Sequence, residues 1–326
     1  GLRVYYPKNE NMGEIAHNTI YDITYYGMYI YQGSTYNFGG FDIHHNEIYR
    51  VEKRQSTTST SSIVGMYFGY MDPCLIHDNY IHDIINSYEG TGNYPGYTAG
   101  MYFYGNATKA NEGMQIYHNR IKSVTSRGTD YSSSTGYYFH YMPAGILAHT
   151  VKNIEVYQNT IHMNMPFTAG GVQGAKWSCI TLGGYYVGSS GNTIKNNILV
   201  NDMIGNGTES YCIYLPGYSS YINSVGTADY NVLSCPNGSI AANDGTNTTY
   251  AYLDSWQSAG YGDNSTDMDV SLTSDCHVDG QAAISEDLSC PLITSVSIPT
   301  DIDGETRTAA NNNGCRYYKL YIRIDK

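Results

Sequence analysis

The chain is short of charge. Of its 326 residues, 17 are Lys or Arg and 29 are Asp or Glu, which leaves a net charge of -12. Helical bundles and coiled coils carry long charged side chains on their outer faces, so this scarcity argues against both. Nucleic acid is not an expected partner, because neutralising phosphates takes a basic stripe and none is present. No apolar run approaches the roughly 18–20 residues of a membrane-spanning helix. None of the seven cysteines falls in a CxxC pair, which removes the usual zinc signature. No initiator Met or signal peptide opens the chain, which reads as mature or trimmed.

What is abundant is Gly, at 35, and Tyr, at 36. With 41% hydrophobic and 13% aromatic residues the chain can bury a sizeable core, so disorder is not expected. One phrase recurs: apolar, two polar residues, Asn, any residue, Ile, two residues, apolar. It reads IAHNTIYDI from Ile15, IHHNEIYRV from Ile43, IHDNYIHDI from Ile76, IYHNRIKSV from Ile116 and VYQNTIHMN from Val156. Looser copies follow at Ile194 and around Asn231. The shared asparagines are Asn18, Asn46, Asn79, Asn119, Asn159, Asn197 and Asn231. A second phrase alternates with the first: GMYIY at Gly27, GMYFG at Gly65, GMYFY at Gly100, GILAH at Gly145, CITLG at Cys179 and CIYLP at Cys212.

Short alternating segments in fixed order predict two strands per repeat, stacked coil on coil into a parallel solenoid. The inward columns are then Met28, Met66, Met101, Ile146, Ile180 and Ile213, with Ile30, Phe68, Phe103, Ala148, Leu182 and Leu215 two residues on. Tyr29, Tyr67, Tyr102, Leu147, Thr181 and Tyr214 lie between them and face outward. The Asn column fits a tight corner, where Asn tolerates left-handed backbone and its amides stack and hydrogen-bond. Variable Tyr-, Gly- and Ser-rich stretches at residues 54–62, 87–99 and 125–142 read as loops.

These phrases resemble the right-handed parallel β-helix proteins of the pectin-lyase-like superfamily. The segments TADYNVL at 227–233, YLDSWQSAGYGDNSTDMDV at 252–270 and TDIDGETR at 300–307 resemble the close of secreted Bacteroidetes-type β-helix proteins. The resemblance implies an all-β fold, with coils over residues 1–235 and a closing segment over 236–326. It does not fix an activity, since one fold hosts many. Two features depart from it: the tail from Asn311 is not acidic, and the chain opens directly in a coil. The second departure predicts either a piece of a longer protein or an end covered by another subunit.

The leading functional expectation is a secreted or cell-surface protein that binds or assembles without catalysis. Its partner would be a polysaccharide or cell-surface glycan, or copies of itself through the solenoid ends. The outward tyrosines Tyr29, Tyr67 and Tyr102 are the expected contacts, offering rings with a hydroxyl at the tip. The alternative is a polysaccharide lyase, which needs a base and a cation beside a uronate carboxylate. His82 or Lys122 would be the base, and Arg120 the cation. The competing reading makes Asp22, Arg50 and Asp83 a charge ladder with the rest solvated around it. No cofactor is expected, with calcium reserved for a lyase; Asp78 and Asp83 are close in sequence but belong to different corners. Glu47 and Asp83 as a hydrolase pair have no spacing argument in their favour.

His17, His44, His45, His77, His82 and His118 gather near the Asn corners and are expected to bond neighbouring coils, with no metal. Cys179 and Cys212 hold equivalent places one repeat apart, either a disulfide or a stacked thiol pair. Cys276 and Cys290 could staple the closing segment. Five Asn-x-Ser/Thr triplets, at Asn106, Asn206, Asn237, Asn247 and Asn264, mark candidate glycosylation sites.

Overall fold

A computed structural model describes residues 1–5, 12–34, 40–53, 62–87, 96–106, 108–126, 143–164, 176–183, 189–204, 209–216, 225–243, 246 and 248–276. Each coil contributes three strands rather than the expected two. In the third coil they are Leu75–His77, Tyr80–Asn86 and Thr98–Tyr104. In the fourth they are Gln115–Tyr117, Arg120–Ser126 and Ala144–His149. Like strands pair in parallel from coil to coil, giving long sheets of nine, eight and seven strands. The molecule is a parallel β-helix; among the described residues it is all-β apart from one short helix, Leu253–Ser258.

The recurring phrase that reads as one strand is two strands meeting at a corner. The residue before each Asn takes positive φ: His17 (58°), His45 (53°), Asp78 (52°), His118 (54°), Gln158 (55°), Asn196 (59°) and Tyr230 (54°). The left-handed position therefore belongs to the Asn's predecessor, which corrects the sequence expectation. That backbone costs on the order of 1–2 kcal/mol per residue, and the Asn side chain offsets it. Each Asn Nδ2 donates to the Asn Oδ1 of the following coil at 2.8 to 3.0 Å, from Asn18 through Asn231. The same oxygen accepts the preceding Asn's backbone N–H at 3.0 to 3.1 Å. Backbone groups freed by the bend are thus paired inside the protein. A second left-handed corner follows at Asp22, Arg50, Asp83 and Ser123, with φ between 49° and 56°.

The inward columns are as read from the sequence. Met28, Met66, Met101, Ile146, Ile180 and Ile213 are wholly buried and sit in register. Phe68 and Phe103 stack at 4.8 Å between ring centroids. The residue before this column also points inward, against strict alternation. A Cβ on Gly65, Gly100 or Gly145 would come within 2.6 Å of the Cγ2 of Ile81, Ile121 or Ile161. Where Cys179 and Cys212 replace that Gly, the matching Ile column turns to Leu199 and Leu233. Losing the β-methyl makes room for the sulfur, because a packed interior tolerates volume change only by exchange.

The sheets run on through the expected boundary at 235/236. Ser239–Asn243 pairs with Glu209–Leu215, and Thr266–Asp267 pairs with Val232–Ser234. Ser265 Oγ takes the Asn's place at the end of the ladder, accepting from the Asn231 N–H at 3.1 Å.

Candidate functional site

The eight-stranded sheet carries the residues expected of a lyase. Its strands set Thr19, Glu47, Tyr80, Arg120 and Thr160 in one row, and Tyr21, Tyr49, His82, Lys122 and His162 in another. His82, Arg120 and Lys122 are therefore neighbours. Their side chains, however, are engaged within the protein. Lys122 Nζ donates to the Ser274 carbonyl at 2.5 Å, and Arg120 Nη1 to the Asp275 carbonyl at 3.3 Å. The Arg120 guanidinium lies 4.2 Å from the Tyr80 ring centroid, and the Tyr80 hydroxyl reaches the Ser274 carbonyl at 3.3 Å. His82 Nδ1 lies 2.9 Å from Asp83 Oδ2, with Glu47 Oε1 at 3.5 Å from its Nε2. The His82 hydrogen bond, with its attraction, holds the Asp83 carboxyl below its ordinary range, against partial burial. Sequence reasoning missed the segment at 272–276, whose backbone faces this row from a great distance along the chain.

At the N-terminal end of the same sheet the row is open. Tyr21 and Tyr49 stack at 5.2 Å, and Tyr49 and His82 at 5.0 Å with planes 1° apart. Arg50 pairs two-pronged with Asp22, Nε to Oδ1 at 2.9 Å and Nη2 to Oδ2 at 3.0 Å. It also lies 4.8 Å from the Tyr49 ring centroid. The charge ladder read from the sequence is this pair beside Asp83. Tyr21 is 48% exposed.

The other tyrosine column does face away from the core, in register from Tyr29 to Tyr67 to Tyr102. It is not a surface throughout. Tyr102 is wholly buried and Tyr67 is 8% exposed, joined with Val64, Ala99, Ala144 and Leu147 in a second apolar cluster. Tyr97 packs on Tyr102 at 4.6 Å, and burial raises the phenol pKa of both Tyr67 and Tyr102. Tyr29 is half-buried, stacked on Tyr67 at 4.5 Å, and burial pushes its phenol up to about 12. An aromatic residue at an outward position can still be covered by chain from elsewhere, which its own strand does not record.

At the Asn corner, histidines and carboxylates bond from coil to coil. His77 Nε2 lies 2.8 Å from Asp42 and its Nδ1 2.7 Å from Asp78, while His118 Nδ1 lies 3.2 Å from Asp78. Despite partial burial, these partners hold the Asp78 carboxyl far below its usual range and raise the His77 pKa. Asp78 and Asp83 stand on different corners, as expected. Asp78 is bonded to both His77 and His118.

Cys179 and Cys212 occupy matching places one coil apart, both buried in the core as free thiols. Each sulfur donates to a backbone carbonyl, Cys179 to Val200 and Cys212 to Leu199, both at 3.3 Å. Burial raises both thiol pKa values. Cys290, and with it the Cys276 pairing, lies outside the described residues, as do Asn206, Asn247 and the tail after Asn311. Asn237 and Asn264 are exposed. Asn106 is partly buried, and its Nδ2 donates to the Tyr70 hydroxyl at 3.0 Å.

Comparison with protein-family models, with curated proteins and with solved structures finds no match for this chain. Among the described residues no helix is long and apolar enough to cross a membrane.

Proposed function

We propose that this chain is a non-catalytic, glycan-contacting β-helix of the secreted or cell-surface kind. The observation that carries this reading is the use made of Arg120 and Lys122. Arg120, the cation a lyase would use, and Lys122, one of its two candidate bases, instead hold the chain's own carbonyls at Asp275 and Ser274. A lyase needs those donors aimed at a developing charge, not spent on a fixed backbone. The resemblance to the pectin-lyase-like superfamily supports an extracellular setting and leaves the activity open.

The contact surface in this reading moves from Tyr29, Tyr67 and Tyr102 to Tyr21 and Tyr49 with Arg50 and Asp22, where Tyr21 is 48% exposed. Stacked ring on ring, these side chains present edges and polar tips rather than faces. The Tyr21 and Tyr49 hydroxyls then lie about 4.8 Å apart, one rung from each other, beside the Arg50–Asp22 pair. That ladder suits the hydroxyls of a sugar chain laid along the solenoid axis.

The test is a binding screen against neutral and uronate polysaccharides, run beside an ultraviolet assay for unsaturated uronate. Binding that is weakened by Tyr49→Ala, with a flat ultraviolet trace, supports the reading. New absorbance makes the protein a lyase and overturns it. Absence of binding across the panel overturns the glycan assignment.

A further inference from the structure

The Asn corner changes character along the solenoid. At the third and fourth coils each imidazole has a carboxylate: His77 has Asp42 and Asp78, and His118 has Asp78. At the first and second coils the imidazoles also meet one another. His44 Nδ1 lies 2.8 Å from His45 Nδ1, and the His17 ring stacks on His45 at 5.0 Å and meets His44 edge-on at 5.6 Å. One ring nitrogen from each of the three falls within 4.8 Å of the other two. Glu14 Oε1 lies 3.1 Å behind His44, on its Nε2.

From this geometry we propose that His17, His44 and His45 form a binding site for a borderline divalent transition metal such as Zn2+, Ni2+ or Cu2+, with Glu14 as the carboxylate that orients His44. Imidazole nitrogen is the donor these ions favour, whereas Ca2+ and Mg2+ require oxygen. Glu14 takes the Nε2–H of His44, which fixes the tautomer and leaves the Nδ1 lone pair facing the other rings. A carboxylate behind a ligating histidine is the usual outer support of such sites.

The backbone beneath the site is rigid. His17 and His45 occupy the same left-handed corner one coil apart, at φ of 58° and 53°. Asn18 and Asn46, the next residues, are tied to each other at 2.8 Å, and the His17 N–H donates to the His44 carbonyl at 3.3 Å. Tetrahedral Zn–N bonds of about 2.0–2.1 Å place ligand nitrogens roughly 3.3 Å apart. The 2.8 Å pair needs to open slightly and His17 to swing in. His17 and His45 are exposed, so side-chain rotation alone accomplishes this. A neutral imidazole is the ligating form.

Calorimetric titration of the whole chain with ZnCl2 tests the site, with CaCl2 as the control. The expected result is one Zn2+ per chain and no Ca2+ at this place. His44→Gln, and His45→Asn or His17→Asn, should each weaken binding at least tenfold, since Asn tolerates the left-handed corner. Glu14→Gln should weaken it about tenfold to a hundredfold. Melting of each variant in EDTA should match the parent, which separates a lost ligand from a lost fold. Cu2+ electron paramagnetic resonance should show coupling to imidazole nitrogen that disappears in the triple variant. The proposal is overturned if the parent takes up no Zn2+, or if the triple variant binds as tightly as the parent. It is also overturned if His162→Gln, remote from the corner, is as harmful as His44→Gln. The site lies on a different face from the proposed glycan contact, and either can fail alone.

Discussion

Lys122 Nζ donates to the carbonyl of Ser274 at 2.5 Å, across 152 positions of sequence. With Arg120 on Asp275 and the Tyr80 hydroxyl on Ser274, it fastens the closing segment to the third and fourth coils. Lys122, a candidate base in the sequence, is one arm of this clamp.

The double change Lys122→Ala and Arg120→Ala should release the segment around Thr273–Cys276. Its amides should exchange hydrogen faster, while those of the coils stay protected. The loss in global stability should be small, roughly 1–2 kcal/mol in urea unfolding, because the donors are partly solvated. Unchanged exchange near Ser274 would contradict the clamp.

Asn119 lies in the middle of the amide ladder and is wholly buried. Its Oδ1 accepts from Asn79, while its Nδ2 donates to Asn159 and to the carbonyls of Ile76 and Tyr117. Asn119→Ala strands partners on both neighbouring coils and should cost about 2–4 kcal/mol. Asn18→Ala, at the partly exposed first rung, should cost clearly less. Equal losses in urea melts would deny the ladder its stabilising role.

Gly100→Ala would set a Cβ 2.5 Å from Ile121 Cγ2 and 2.7 Å from the Gly145 carbonyl. Overpacking of this kind costs about 1–3 kcal/mol. Adding Ile121→Leu removes the offending methyl and should recover part of the loss, as the Cys179 and Leu199 coils do naturally. A double-mutant cycle with no coupling would show that the two columns are independent.

His149 is held neutral by burial, its pKa lowered to about 4, and its Nδ1–H donates to the Gly105 carbonyl at 3.2 Å. An unfolded histidine titrates near 6.5, so the unfolded chain takes the proton first. Stability should therefore fall as pH drops from about 6.5 to about 4 and level off below, by on the order of 3 kcal/mol. His77 acts in the opposite sense: its raised pKa contributes stability below about 6.5 that is lost as pH climbs through its folded value. Comparing His149→Gln with the parent across this range isolates the first effect. A parallel pair of pH profiles would refute it.

The sequence by itself determined the solenoid. Seven asparagines at recurring places and alternating apolar columns were enough, because stacked coils repeat one environment and so select one residue type. Composition likewise set aside helical bundles. Only the tertiary structure decided where each coil bends and which faces are open. A left-handed corner is filled here by His, Asp, Gln, Asn or Tyr, so no residue type announces it. The outward column at Tyr102 is buried by groups outside its own strand, and Lys122 meets a backbone segment that no local pattern predicts. The three imidazoles of the first two coils converge for the same reason. Stacking brings His17 beside His44 and His45, residues of separate repeats, and the spacing of the coils sets the distance between their rings.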